Sequence, residues 1–128
     1  MDPAALRFAR THEWIAVNDH VGTIGVSDFA VRLLTDIVFL ELPKVGRQVR
    51  QGDTIGEIES VKAVSDLYAP CDCEIIEVNQ SLPDNLALLS DSPFEKAWIA
   101  KIRIARPEQV SQLLDYSSYQ EHCRAEEH

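Results

Sequence analysis

The apolar positions of this chain fall mostly in short runs separated by polar or glycine-containing breaks, which is the spacing of strands rather than of long helices. Glu13-Trp14-Ile15-Ala16-Val17 is dense in strand formers and stops at the polar turn Asn18-Asp19-His20. Val21 to Val26 follows, with Gly22 and Gly25 where the backbone bends or another group comes close. Ile37 to Leu42 is β-branched and aromatic and is closed by Pro43. Asp53 to Glu59, Val64 to Ala69 and Cys73 to Val78 have the same character. Ala97 to Ile104 alternates: Trp98, Ala100, Ile102 and Ile104 lie on one face, Lys101 and Arg103 on the other. That period of two predicts a half-buried strand.

Three segments predict helices. Ser27 caps a short one in which Phe29, Leu33 and Leu34 share a face. Pro107 opens a second, with Val110, Leu113 and Leu114 at helical spacing. A third runs from a Ser118 cap towards Arg124, and the polar tail from Ala125 to His128 frays. Leu86 to Leu89 is apolar but has no assignable register. No linker, repeat or low-complexity tract interrupts the chain, so residues 1–128 read as one domain. Short strands joined by tight turns, with helices mostly near the end, predict an all-β sandwich or small barrel carrying short helices.

Composition narrows the function. At 128 residues, 45% hydrophobic and 26% charged, the chain can bury one modest core and is not disordered. A formal net charge of −9 repels phosphate backbones and anionic lipid, which excludes nucleic acid and membrane surfaces as expected partners. No apolar run approaches the ~18 residues needed to cross a bilayer. No targeting segment is visible at the start, so a cytoplasmic protein is expected, or one of the mitochondrial matrix if this is a mature eukaryotic chain.

Three cysteines without a secretory signal suggest thiols in a reducing compartment. Cys71 and Cys73 lack the two-residue spacer of zinc knuckles and read as a turn with buried thiols. His12, His20, His122 and His128 are scattered, and no metal is assigned. No nucleophile, base and orienting acid can be assembled from the sequence, so no enzyme is expected.

One segment stands out. Gly52 to Pro70 has the length of a single hairpin, opened by Gly52-Asp53, closed by Ala69-Pro70 and turning near Val61-Lys62. Lysine is rare in this chain (Lys44, Lys62, Lys96 and Lys101), and Lys62 stands alone at the tip. There its amine projects away from the sheet, reachable by a modifying enzyme. Taken alone, it is a solvated turn residue like most exposed lysines.

Glu59-Ser60-Val61-Lys62-Ala63, followed by Ser65-Asp66 and Ala69-Pro70, resembles the lipoyl-attachment hairpin of the glycine cleavage system H protein family. Thr11-His12-Glu13-Trp14, Gly25 to Ala30, and Asp36 to Pro43 with Val45-Gly46 resemble further motifs of that family. Glu77-Val78-Asn79, Asp91 to Phe94 and Trp98 to Ile102 follow in the family's order, so the resemblance covers residues 7–122.

It implies a barrel-sandwich hybrid of the lipoyl/biotinyl type with a helical C-terminal region. It also implies a carrier rather than a catalyst, with lipoic acid in amide linkage on Lys62. Such a carrier takes up the aminomethyl group of glycine at the pyridoxal phosphate-dependent glycine decarboxylase. It delivers that group to the tetrahydrofolate-dependent aminomethyltransferase and is reoxidised by dihydrolipoamide dehydrogenase. Lipoate-attaching enzymes are the remaining partners, and a monomer is expected. The resemblance aligns Thr11, Glu13 and Asp66 with a cleft that shelters the loaded arm; by spacing alone, both acids are ordinary surface carboxylates. Thr35, Cys71-Asp72-Cys73 and Ala97 depart from the family's usual glycine-containing pattern. Two alternatives stay open: an H-like relay supplying lipoyl groups to other enzymes, and a biotinyl or lipoyl domain of another complex.

Overall fold

The computed structural model describes residues 2–126. In chain order the strands and helices are β1 (Arg7–Phe8), β2 (Glu13–Asn18), β3 (Val21–Val26), α1 (Asp28–Leu34), β4 (Ile37–Glu41), β5 (Gln48–Val49), β6 (Thr54–Ser60), β7 (Val64–Tyr68), β8 (Cys73–Val78), α2 (Leu88–Asp91), β9 (Ala100–Ile104), α3 (Pro107–Ser111) and α4 (Tyr116–Glu126). Single 3-10 turns occupy Pro3–Ala5 and Leu82–Asp84. The strands form two antiparallel sheets, one of six in the order β1-β2-β3-β9-β8-β5 and one of three in the order β4-β6-β7. This is the all-β sandwich with short helices that the pattern predicts.

The main core lies between the sheets, where Ile15, Ile24, Ile75 and Ile102 of the larger meet Leu40, Ile58 and Leu67 of the smaller. A second apolar cluster forms outside it, from Leu6, Phe8, Trp14, Phe29, Tyr119 and Cys123. Strand β2 feeds both, because successive strand residues point to opposite faces and Trp14 and Ile15 are neighbours. Gly25 lies opposite Trp14 in the ladder, and the indole lies flat on it: a β-carbon there would sit 2.6 Å from the ring. Trp14 Nε1 donates to the carbonyls of Val26 (3.1 Å) and Pro93 (3.0 Å), which satisfies its one buried polar group.

Several local expectations need correction. Leu33 is 48% exposed; Val31 and Leu34 enter the main core instead, while Phe29 turns to the second cluster. Helix α1 thus lies between two apolar regions and has no single buried stripe. Ser27 does cap it, accepting from Ala30 N–H at 3.2 Å. The Pro107 helix ends at Ser111, because the next residues are drawn into backbone pairing: Leu114 and Phe8 exchange N–H···O bonds of 2.8 and 2.9 Å. Helix α4 is capped by Asp115, whose carboxylate accepts from Ser118 N–H at 2.8 Å, and Ser118 lies inside it. The helix continues through Ala125 to Glu126 where fraying is expected; Glu127 and His128 lie outside the described residues.

Strand β9 starts at Ala100, three residues late, although Ile99 N–H already bonds Ile24 O at 2.7 Å. Its alternation holds, with Ile102 and Ile104 buried and Arg103 exposed. Part of the unassigned Leu86 to Leu89 stretch becomes α2, with Leu89 fully buried. Cys71 and Cys73 are buried in the main core, as the turn reading has it.

Candidate functional site

The hairpin β6–β7 pairs Glu59 with Val64 and Glu57 with Asp66, leaving Val61-Lys62-Ala63 as its tip. Ser60 organises that tip. Its hydroxyl accepts the N–H groups of Lys62 (3.2 Å) and Ala63 (3.1 Å), and its own N–H donates to Ala63 O at 2.8 Å. Val61 N–H donates to Asp36 O at 3.0 Å, which ties the tip to the residue before β4. A serine two residues before the tip is a turn signal, and it was open to recognition in the sequence. Lys62 is exposed, and among the described residues its ammonium has no hydrogen-bond or ion-pair partner. A rigid base thus presents an unengaged primary amine, which is what an acylating enzyme needs to reach.

The outward face of the smaller sheet carries charge beside this amine. Glu41, Glu57 and Asp66 lie directly opposite one another across β4, β6 and β7. Lost hydration and then repulsion from Glu41, Glu59 and Asp66 raise the carboxyl of Glu57 above its ordinary range. One pair of residues closer to the tip, the row is Phe39, Glu59 and Val64, and Val38 and Val61 are exposed nearby. The face is an acidic patch bordered by apolar side chains.

At the other end of β7 the three remaining candidate residues are only partly brought together. Glu13 is 3% exposed, not a surface carboxylate. One carboxylate oxygen accepts the Thr11 hydroxyl in a short bond, and the other accepts Tyr68 N–H at 3.1 Å. The second bond joins the start of β2 to the end of β7, fastening one sheet to the other. Burial raises the Glu13 carboxyl to about 7, and the bonds from Thr11 and Tyr68 only partly offset it. Thr11 is exposed and, with Tyr68, lines a cleft of about 430 Å³.

Asp66 is also exposed, on the same face of β7 as Tyr68, whose hydroxyl donates to it at 3.5 Å. Tyr68 is therefore the link that sequence reasoning missed: its backbone holds Glu13 and its side chain leans towards Asp66. Its period-two spacing from Asp66 was the available signal. From Val64 to Tyr68 the strand covers about 13 Å, so cleft and lysine stand at opposite ends of one strand.

Comparison with known proteins follows the same outline. Residues 6–126 match the family model described as "Glycine cleavage H-protein". The chain is 48% identical over 126 residues to the glycine cleavage system H protein of Chromohalobacter salexigens, with 98% of this chain and 96% of that protein covered. It is 45% identical over 126 residues to the protein of that name from Rhodopirellula baltica, covering 95% of each. Among solved structures, the crystal structure of a glycine cleavage system H protein from Mycobacterium marinum superposes with a TM-score of 0.85 at 35% identity, covering 94% of this chain and 97% of that one.

Proposed function

The chain belongs to the glycine cleavage H-protein family, and on that premise we propose that it is a lipoyl carrier, not an enzyme, with Lys62 as its single attachment point. In this reading it shuttles the aminomethyl group of glycine from the glycine decarboxylase to the aminomethyltransferase. The observation that carries the reading is the unpartnered Lys62 amine on a tip pinned by Ser60 and Asp36. Lipoate bound there supplies a dithiol that takes up and releases the one-carbon unit, chemistry that no side chain of this protein offers.

The chain's own residues do the rest. Ser60 keeps the tip in one conformation, so that the ligase, the decarboxylase and the aminomethyltransferase meet the same geometry. The row Glu41, Glu57 and Asp66 steers partners that carry basic patches, and Phe39, Val61 and Val64 supply apolar contact once they arrive. An extended lipoyl-lysine arm is comparable in length to β7, which puts the cleft at Thr11 and Tyr68 within its reach. Thr11 lines that cleft, and Asp66, outside its lining but in contact with the Tyr68 hydroxyl, offers an exposed carboxylate to a protonated amine. Glu13 lies beneath, where a nearby cation would favour its ionised form. Exclusion of water by such a cleft protects a hydrolysable carbon–nitrogen bond.

The deciding experiment is the intact mass of the chain after co-expression with a lipoate ligase and lipoate. One lipoyl increment is expected in the wild type and none in Lys62→Arg, since arginine keeps the charge but is a poor acyl acceptor. A biotin increment, or an increment surviving in Lys62→Arg, overturns the attachment site. A lipoylated protein that fails to support glycine-dependent release of carbon dioxide by a glycine decarboxylase points instead to the relay role.

A further inference from the structure

The four histidines look unrelated in the sequence, but folding brings two of them together, in a cluster that contains none of the residues given a role in the carrier function. His12 lies in the turn before β2, held at a φ of 85° by backbone bonds on both sides: its N–H donates to Ala9 O at 2.9 Å and its carbonyl accepts Ser27 N–H at 3.0 Å. His122 and Glu126 come from α4, one turn apart on one face. His12 Nε2 lies 2.9 Å from one carboxylate oxygen of Glu126, and His122 Nε2 lies 3.1 Å from the other. A donor atom from each of the three residues falls within 4.8 Å of the other two.

We propose that His12, His122 and Glu126 form a binding site for a zinc-like divalent cation, which clasps the C-terminal helix to the turn leading into β2. Two imidazoles and one carboxylate are a donor set that suits zinc, leaving a fourth position for water. In a tetrahedral site with metal–ligand bonds near 2.0–2.1 Å, donor atoms lie about 3.3 Å apart. The two histidine–carboxylate separations are already close to that but run to different oxygens of Glu126, so the carboxylate must turn as the imidazoles converge on one point.

The surroundings of His12 resemble the outer shell of a metal ligand. Its other ring nitrogen, Nδ1, is 2.7 Å from the Tyr119 hydroxyl, which in turn lies 2.5 Å from Ser27 Oγ. Ser27 Oγ also accepts Ala30 N–H, and either hydroxyl can donate in the Ser27–Tyr119 bond, so with the proton on His12 Nδ1 the relay runs through Tyr119 to Ser27. In the metal-free protein Nε2–H donates to Glu126 at 2.9 Å; a bound cation would take the place of that proton, with the imidazole proton on Nδ1. A hydrogen bond of this type at the remote nitrogen is the usual way a ligating imidazole is oriented. His122 must release one contact on binding: its Nε2 lies 2.9 Å from Arg10 O, in an exposed position where water can replace it.

The site is independent of Lys62 and of lipoylation, and its test keeps them apart. Zinc chloride titrated calorimetrically into the full-length chain should bind at one equivalent, equally well in Lys62→Arg. At ~100-fold excess of zinc over its dissociation constant the thermal midpoint should rise by on the order of 10 °C. His122→Gln, at a half-buried position, and Glu126→Gln, at an exposed one, should each abolish that rise. Tyr119→Phe, which keeps the ring packing but removes the hydroxyl, should weaken binding by roughly 10–100-fold. His128→Ala should change nothing. Cobalt in place of zinc should give visible ligand-field bands without a thiolate charge-transfer band. No binding, loss of the signal in His128→Ala, retention of it in both His122→Gln and Glu126→Gln, or thiolate absorption would each overturn the proposal.

Discussion

Glu13 shows how much one residue's surroundings change its chemistry. A carboxyl that ordinarily ionises near 4.5 is raised by burial to about 7, so the folded protein holds a proton there that the unfolded chain releases. Between those values the native state binds more protons, and stability falls as pH rises through the window. Below the lower value the contribution is fully present; above about 7 it is gone. The whole effect amounts to about 3 kcal/mol at most. Glu13→Gln should remove it, because an amide can still accept Tyr68 N–H and donate to the Thr11 hydroxyl. Urea unfolding from pH 5 to 8 should show the variant gaining on the wild type by most of that amount as pH rises. A constant difference between them would mean that Glu13 ionises like an exposed acid.

Among the elements, the end of α1 carries a visible strain. Thr35 closes the helix with a φ of 65°, a region that a β-branched residue rarely adopts and that glycine enters without cost. Its hydroxyl donates to Leu34 O at 2.5 Å, which offsets part of the penalty. The resemblance puts a glycine at this position, and the backbone supplies the physical reason. Thr35→Gly is therefore expected to stabilise the protein by about 1 kcal/mol, the lower end of the range for such strained residues. The midpoint of thermal unfolding measures it, and a lower midpoint in the variant would refute the assignment of strain. Helix α1 also makes clear why a one-stripe reading failed there: Phe29 and Val31 are both buried, but in different clusters.

For the whole molecule the question is whether two apolar clusters make two folding units. They share β2, and Glu13 at its start is bonded to β7 across the sheets. That coupling predicts a single cooperative transition, with tryptophan fluorescence and far-ultraviolet circular dichroism coinciding through a denaturant titration. Phe8 is the sharpest probe. It is fully buried, stacked on Tyr119 with ring centroids 4.3 Å apart, and its backbone pairs with both β2 and Leu114. Phe8→Ala should cost about 3–5 kcal/mol. The two probes should still move together; fluorescence changing first would mean that the second cluster melts on its own.

How much of this was legible beforehand depends on the range over which each feature is encoded. Apart from β5, the strands from Glu13 to Val78 were readable because alternation and turn residues act between neighbours, and Lys62 at its tip was readable because a hairpin is closed by residues a few positions apart. Helix capping by Ser27 belongs to the same class. The sites of β1 and β5 were not legible, since two-residue strands have no period and exist only because a partner strand lies beside them. Glu13 and Asp66 could be pointed to by resemblance, but no local rule says that the first is buried and the second exposed. That difference comes from Tyr68, 55 residues from Glu13 in sequence. Likewise His12 meets Tyr119 and Glu126 across separations of 107 and 114 residues. The sequence by itself determined where the backbone extends, where it turns and which amine it displays. Only the tertiary structure decided which polar groups lose their water and which donors converge, because desolvation and metal-binding geometry depend on distances that the chain order does not contain.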